Sequence, residues 1–141
     1  MKKIITICFL ALIGLVSCKK ESTDKKNNNN LMGTWEVEKM LEIRYENDVE
    51  KNRYEDKYSA NEMLFVFEGD NVTVKNNNDA GEVYSYTLKG EEFVMTKGNT
   101  SQYLNLKFNS NAQMVLSLED SNVDSKGIKH RNVSAYTLNK K

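Results

Sequence analysis

Residues 63–75 read MLFVFEGDNVTVK, and this stretch decides the fold. Met63 to Glu68 is an apolar, aromatic run of strand length, Gly69-Asp70-Asn71 is a short turn, and Val72 to Lys75 resumes with β-branched side chains. Such a pattern reads as strand, tight turn and strand, so the two neighbours pair antiparallel.

The same punctuation continues on both sides. Asn76 to Gly81 makes a second turn, Glu82 to Leu88 another strand, and Lys89-Gly90-Glu91 a tight connection to Phe93 to Thr96. Gln102 to Phe108, Met114 to Leu118 and Lys129 to Leu138 complete the downstream series. With a first strand upstream this gives eight strands in meander order, at the intervals of an all-β barrel or sandwich. No segment carries a helical period, and the absence of proline suits uninterrupted ladders.

The first strand is long. Trp35, Val37, Leu41, Ile43 and Tyr45 hold one face, and Glu36, Glu38, Glu42 and Arg44 the other, the alternation of a half-buried strand. Lys39 breaks the inward set, which calls for a bulge or for a long side chain reaching the rim. The next connection, Glu46 to Asn61, is longer and more charged than the rest yet contains Val49, Tyr54 and Tyr58. Two readings are open: a lid or binding loop, and a protruding hairpin that prolongs the first strands, with the tyrosines packed across the pair.

Upstream of the strands the chain reads differently. Lys2 and Lys3 precede the apolar run Ile4 to Val16, which fits a secretory signal and is too short to span a bilayer. The run closes on Leu15-Val16-Ser17-Cys18, which resembles the lipobox of bacterial lipoproteins. That resemblance implies a diacylglyceryl group on the Cys18 sulfur, cleavage before Cys18, and a membrane anchor through the N-terminal lipid. The expected organisation is a signal peptide over 1–17, a lipidated tether over 18–30 and one domain over 31–141. Lys19 to Asn30 contains no apolar residue and is expected to stay solvated. Lys19 is not the aspartate associated with inner-membrane retention, so the resemblance points to the outer membrane, with its periplasmic and surface faces both open.

Composition narrows the chemistry. Of 20 basic residues Lys2 and Lys3 leave with the signal, and against 20 acidic residues the remainder carries about two net negative charges, which disfavours nucleic acid. Cys8 leaves as well and Cys18 would be blocked, so no thiol remains for a disulfide or a nucleophile. His130 is the single histidine and cannot build a zinc site alone.

Leu31-Met32-Gly33-Thr34-Trp35, just before the first of eight meandering strands, resembles the Gly-x-Trp signature of lipocalins, especially the short lipocalin-like domains of bacterial lipoproteins. Phe65-Val66-Phe67-Glu68-Gly69-Asp70 followed by Val72-Thr73-Val74 is similar to the second and third strands of those domains. The resemblance implies an eight-stranded antiparallel up-and-down barrel in which Gly33 permits a tight entry and Trp35 plugs the floor. It also implies a basic residue over the indole, Lys129 or Arg131, with Arg131 favoured. The chain leaves no room after Leu138 for the helix that flanks larger lipocalin barrels, so a compact barrel is expected.

Catalytic groups are hard to name. Glu91-Glu92 and Glu119-Asp120 are neighbours whose side chains would face opposite sides of a strand, and they read as solvated charges. Asp120, Asn122 and Asp124 begin like a calcium loop, but Ser125 and Arg131 stand where glycine and the bidentate glutamate belong. Asn71-Val-Thr73, Asn99-Thr-Ser101 and Asn132-Val-Ser134 match a glycosylation pattern that has little force in a bacterial cell. No enzyme, metal or cofactor is expected.

Phe65, Phe67, Tyr84, Tyr86, Leu104, Leu106, Phe108, Met114 and Leu116 would line a barrel interior, as walls of a ligand pocket or as a solid core. The leading expectation is a membrane-anchored protein holding a small apolar or amphipathic ligand in the barrel. The alternative is a solid barrel whose Glu46 to Asn61 segment contacts a protein or an envelope polymer.

Overall fold

The alternating runs form nine strands: β1 (Gly33–Glu46), β2 (Val49–Lys57), β3 (Met63–Glu68), β4 (Asn71–Asn76), β5 (Glu82–Lys89), β6 (Glu92–Lys97), β7 (Thr100–Ser110), β8 (Gln113–Val123) and β9 (Lys129–Lys140). The computed structural model describes residues 27–77 and 79–141. The lipobox with Cys18, and positions 19–26 of the expected tether, lie outside the described residues.

β1 and β3 to β9 follow in meander order, every pair is antiparallel, and β1 pairs with β9. The result is a closed eight-stranded up-and-down barrel, as the turn spacing and the lipocalin resemblance imply. β2 is a ninth strand outside it. Asn47 and Asp48, with φ of 49° and 63°, turn β1 directly into β2, the two-residue geometry of a tight hairpin. The connection from Glu46 is therefore the protruding hairpin, not a lid.

Two registers explain where that hairpin goes. The lower part of β1, Gly33 to Glu36, pairs with β3, whereas Lys39 to Glu46 pairs with β2 on the same edge. β8 is likewise bound to β7 only up to Ser117, while its pairing with β9 continues to Val123. The upper ends of β1, β8 and β9 thus leave the barrel together, and with β2 they form a four-stranded projecting sheet.

A bulge sets the faces of this sheet. Val37 lies opposite Leu138 and Lys39 opposite Thr137, which leaves Glu38 as the extra residue. A single insertion in a period-two strand exchanges inside and outside. Trp35 and Val37 point into the barrel, but Leu41, Ile43 and Tyr45 belong to the outer face, beside Ala135, Val133 and Arg131. The single inward set expected for β1 is therefore split, and the break at Lys39 is a bulge. Lys39 itself lies outside, where its ammonium pairs with Glu55 at 3.0 Å.

The core is apolar, with no buried polar or charged residue among the described ones. Trp35, Phe67, Phe93, Leu106, Met114, Leu116 and Leu138 are fully buried. Each such side chain contributes roughly 1.5–3 kcal/mol relative to exposure. Residues 27–31 form a short helix at the barrel floor, so the last four positions of the expected tether, 27–30, are helical. Leu31 enters the core, and its carbonyl accepts a hydrogen bond from Trp35 Nε1 at 2.7 Å. Gly33, with φ of 113°, provides the entry bend that a side chain would resist.

The cation over the indole is Lys140, not Arg131. Its Nζ lies 5.3 Å from the ring centre and donates to the Asn30 carbonyl at 2.8 Å. The register is the cause: Trp35 faces Lys140 across the β1–β9 ladder, whereas Arg131 faces Tyr45 ten positions farther along β1.

Candidate functional site

Two regions qualify as sites, the barrel interior and the projecting sheet. All nine residues expected inside face the interior. Phe65, Phe67, Tyr86, Leu106, Met114 and Leu116 are buried, and Tyr84, Leu104 and Phe108 are half-buried or partly exposed against them. They pack on one another: Phe67 meets Tyr86 edge-on at 5.4 Å and Phe93 at 6.0 Å, and Trp35 lies 6.1 Å from Phe108. Offset and edge contacts at these spacings are those of aromatic rings packed on one another.

The polar tips of the two interior tyrosines are satisfied locally. Tyr86 Oη donates to the Gly69 carbonyl at 2.9 Å, and Tyr84 Oη donates to Glu82 at 2.5 Å. Burial raises the Tyr86 phenol above its ordinary pKa, and the hydrogen bond to Glu82 raises that of Tyr84. Tyr58, Met63, Val74 and Tyr136 pack against the core near the end from which the sheet projects.

The projecting sheet carries two adjoining clefts, of about 610 Å³ and about 300 Å³, which share Arg44 and Asn52. None of the nine interior residues lines either one. Most of their lining follows from the bulge, while Tyr45 and Lys51 join it at a second irregularity, between Arg44 and Tyr45 in the β1–β2 ladder. Beyond Glu38 the even-numbered residues of β1 continue the interior face, as do those of β8 and β9 above Leu116 and Tyr136. Cross-strand register then stacks Tyr54, Glu42, Ser134 and Leu118 in one row, and Asn52, Arg44, Asn132 and Asp120 in the next. Glu46, His130 and Asn122 make a third row. Strand spacing and rise make this a platform of roughly 14 Å by 14 Å.

Apart from Asp120, its charges are engaged with neighbours. Arg44 Nε and Nη2 both reach Glu42 Oε1 at 2.9 Å, and Lys51 lies 3.9 Å from Glu46. His130 Nε2 contacts Asp124 at 3.1 Å. The hydrogen bond with His130, reinforced by the Ile128 amide, holds the Asp124 carboxyl below the usual aspartate value.

The tip is held by a second set of contacts. The Asn47 amide donates to the Lys129 carbonyl, and the Lys129 amide donates to Asn47 Oδ1 at 3.0 Å. Lys129 Nζ also pairs with Asp48, and Arg131 reaches both Asp48 and Glu119 from the outer face. Both hairpin turns are thereby joined, so the platform is a supported surface and not two free loops.

Asp120 and Asn122 lie on extended strand, while Asp124 Oδ1 accepts the amides of Lys126 and Ile128. That carboxylate closes a turn, which accounts for the calcium-like start of the motif. Among the described residues no group of three or more His, Cys, Asp or Glu converges as a metal site would.

The sequence offered no signal for this platform. Glu119 to Val123 lacks apolar alternation, and Arg44, Asn52, Asn122 and Asn132 are ordinary polar residues until register brings them together. Searches of protein-family models, curated proteins and solved structures gave no match to this chain.

Proposed function

We propose that this chain is a lipid-anchored envelope protein whose filled barrel is a rigid support and whose projecting sheet is the binding element for a protein or an envelope polymer. The anchor reading rests on the lipobox sequence ending at Cys18. The observation that carries the binding reading is the contrast between a barrel packed with its own side chains and an open polar platform of paired strands beside it. Ligand pockets are concave and combine apolar walls with a few convergent polar groups, whereas the described clefts here are open and lined mostly by charged and amide side chains. Lys19 after the lipobox supports outer-membrane placement.

A small apolar ligand in the barrel is the second reading. It is favoured by the partial exposure of Tyr84, Leu104, Met63, Val74 and Tyr136 near the end that bears the sheet.

The test replaces residues 45–51 by Asn-Gly, which shortens the hairpin to the Arg44–Asn52 pair. A photo-crosslinking group at Tyr54 in the full chain is expected to capture a specific envelope component, and the shortened hairpin to lose it. Unchanged capture would overturn the reading. Native mass spectrometry that found one apolar molecule per chain, lost in Phe65→Ala and Tyr86→Ala, would install the second reading in its place. Labelled palmitate, incorporated by the wild type and not by Cys18→Ala, tests the anchor separately.

A further inference from the structure

We infer that the platform on the projecting sheet is a binding site for neutral carbohydrate, an assignment that rests on the binding reading above and names its ligand class. Four polar side chains carry the inference. Among the described residues, Asn52, Tyr54, Asn122 and Asn132 have no side-chain hydrogen-bond partner, although all four line the two clefts. Each asparagine offers two donors and an acceptor, and the phenol offers one donor with acceptor capacity.

Their placement matters as much as their number. Asn52 and Asn132 flank Arg44 in one cross-strand row, so the two amides stand two strand spacings apart, about 10 Å. Asn122 lies in the next row, beside His130, and Tyr54 in the row on the other side, beside Glu42. The backbone ladders of four strands fix these spacings, so a ligand has only the side chains to order.

Charge selects among ligands. The platform contains Glu42, Glu46 and Asp120, with Asp124 at its border, against Arg44 and Lys51, and the His130 imidazole contacts Asp124 at 3.1 Å. Both cations already have carboxylate partners, Arg44 in Glu42 and Lys51 in Glu46. An anionic polymer would therefore meet engaged cations and a surplus of carboxylates. A cationic partner would find carboxylates already paired, apart from Asp120. Groups that both donate and accept, arrayed over a surface whose one unengaged charge among the described residues is Asp120, match the vicinal hydroxyls of a neutral sugar. Tyr54, 55% exposed, adds a ring face against which the apolar face of a pyranose packs.

The experiment is calorimetric titration of the full chain with neutral hexasaccharides of glucose, mannose, galactose, xylose and N-acetylglucosamine, alongside polygalacturonate as the anionic probe. At least one neutral series is expected to bind with little salt dependence, and polygalacturonate to bind weakly or not at all. Asn52→Ala and Asn132→Ala are each expected to weaken binding roughly tenfold, the loss of one or two hydrogen bonds. Neither substitution removes a side-chain hydrogen bond within the protein, so the circular dichroism spectrum should stay unchanged and the melting temperature close to that of the wild type. Absence of binding by every neutral series would overturn the inference, as would binding indifferent to both substitutions. Capture of an envelope protein that depends on the hairpin, without saccharide binding, would overturn the carbohydrate assignment and leave the binding role of the sheet standing. Saccharide binding lost in Phe65→Ala and unaffected by Asn52→Ala would overturn both.

Discussion

The guanidinium of Arg131 lies over the Tyr45 ring, 3.9 Å from its centre, on the outer face of the projecting sheet. The same side chain reaches Glu119 at 3.3 Å and Asp48 at 3.8 Å, so one planar cation joins β1, β8, β9 and the hairpin turn. Planarity makes the contact specific, because only a guanidinium can lie flat on a ring while its edge meets carboxylates.

Removing Arg131 should therefore loosen the sheet more than its single charge suggests. A double-mutant cycle on Arg131→Ala and Tyr45→Ala is expected to give a coupling of about 0.5–2 kcal/mol, the range for a partly shielded cation–π pair. Arg131→Lys should recover less than half of it. Urea denaturation of the four proteins measures the term.

At the floor, Trp35→Ala removes the largest fully buried side chain and the Nε1 hydrogen bond to Leu31. A loss of about 3–5 kcal/mol is expected from the cavity and the lost packing. Lys140→Met should cost far less, since Lys140 covers the indole from a half-buried position. Shifts of the urea midpoint at constant slope check both values.

Two turn glycines separate conformational strain from steric conflict. Gly81 has φ of 84°, and an added Cβ would stand 2.8 Å from the Val74 carbonyl oxygen. Gly90 has φ of 63°, and a Cβ there meets nothing within 4 Å. Gly90→Ala is expected to cost about 1 kcal/mol, the left-handed penalty alone. Gly81→Ala adds displacement of the β4 backbone and should cost about 2–3 kcal/mol. Thermal melts of the two variants decide the order.

Alkaline stability should depend on Tyr86. Burial, with Asp70 nearby, holds its phenol above the ordinary value of about 10. A raised folded pKa means that its contribution is complete below that ordinary value and is lost as the pH rises from there through the folded value. Tyr86→Phe should therefore flatten part of the alkaline fall in stability, and urea midpoints measured across that range for both proteins test it.

The barrel was legible because its signals are local. Alternation in β3 to β9, the turns at Gly69-Asp70 and Gly90, and the position of Gly33-Thr34-Trp35 each act within a few residues, and the strands formed where they pointed. The nine residues expected to face inward from Phe65 to Leu116 do so for the same reason.

β1 shows where local reading ends. From Trp35 to Tyr45 the odd-numbered residues keep one parity in sequence, and Lys39 alone interrupts them. A bulge consumes one residue without leaving a composition of its own, so Lys39 left a bulge and a rim-reaching side chain both open, and the reversal of faces at Glu38 was decided only by the pairing with β9. Which cation covers Trp35, and which polar residues share the platform, depended in turn on the closure of β1 against β9, between segments some hundred positions apart. Sequence by itself determined strand identity and inward preference, since both arise from period-two contacts along the chain. Tertiary structure alone decided the register, the reversed face and the platform, because these follow from hydrogen-bond ladders between distant strands.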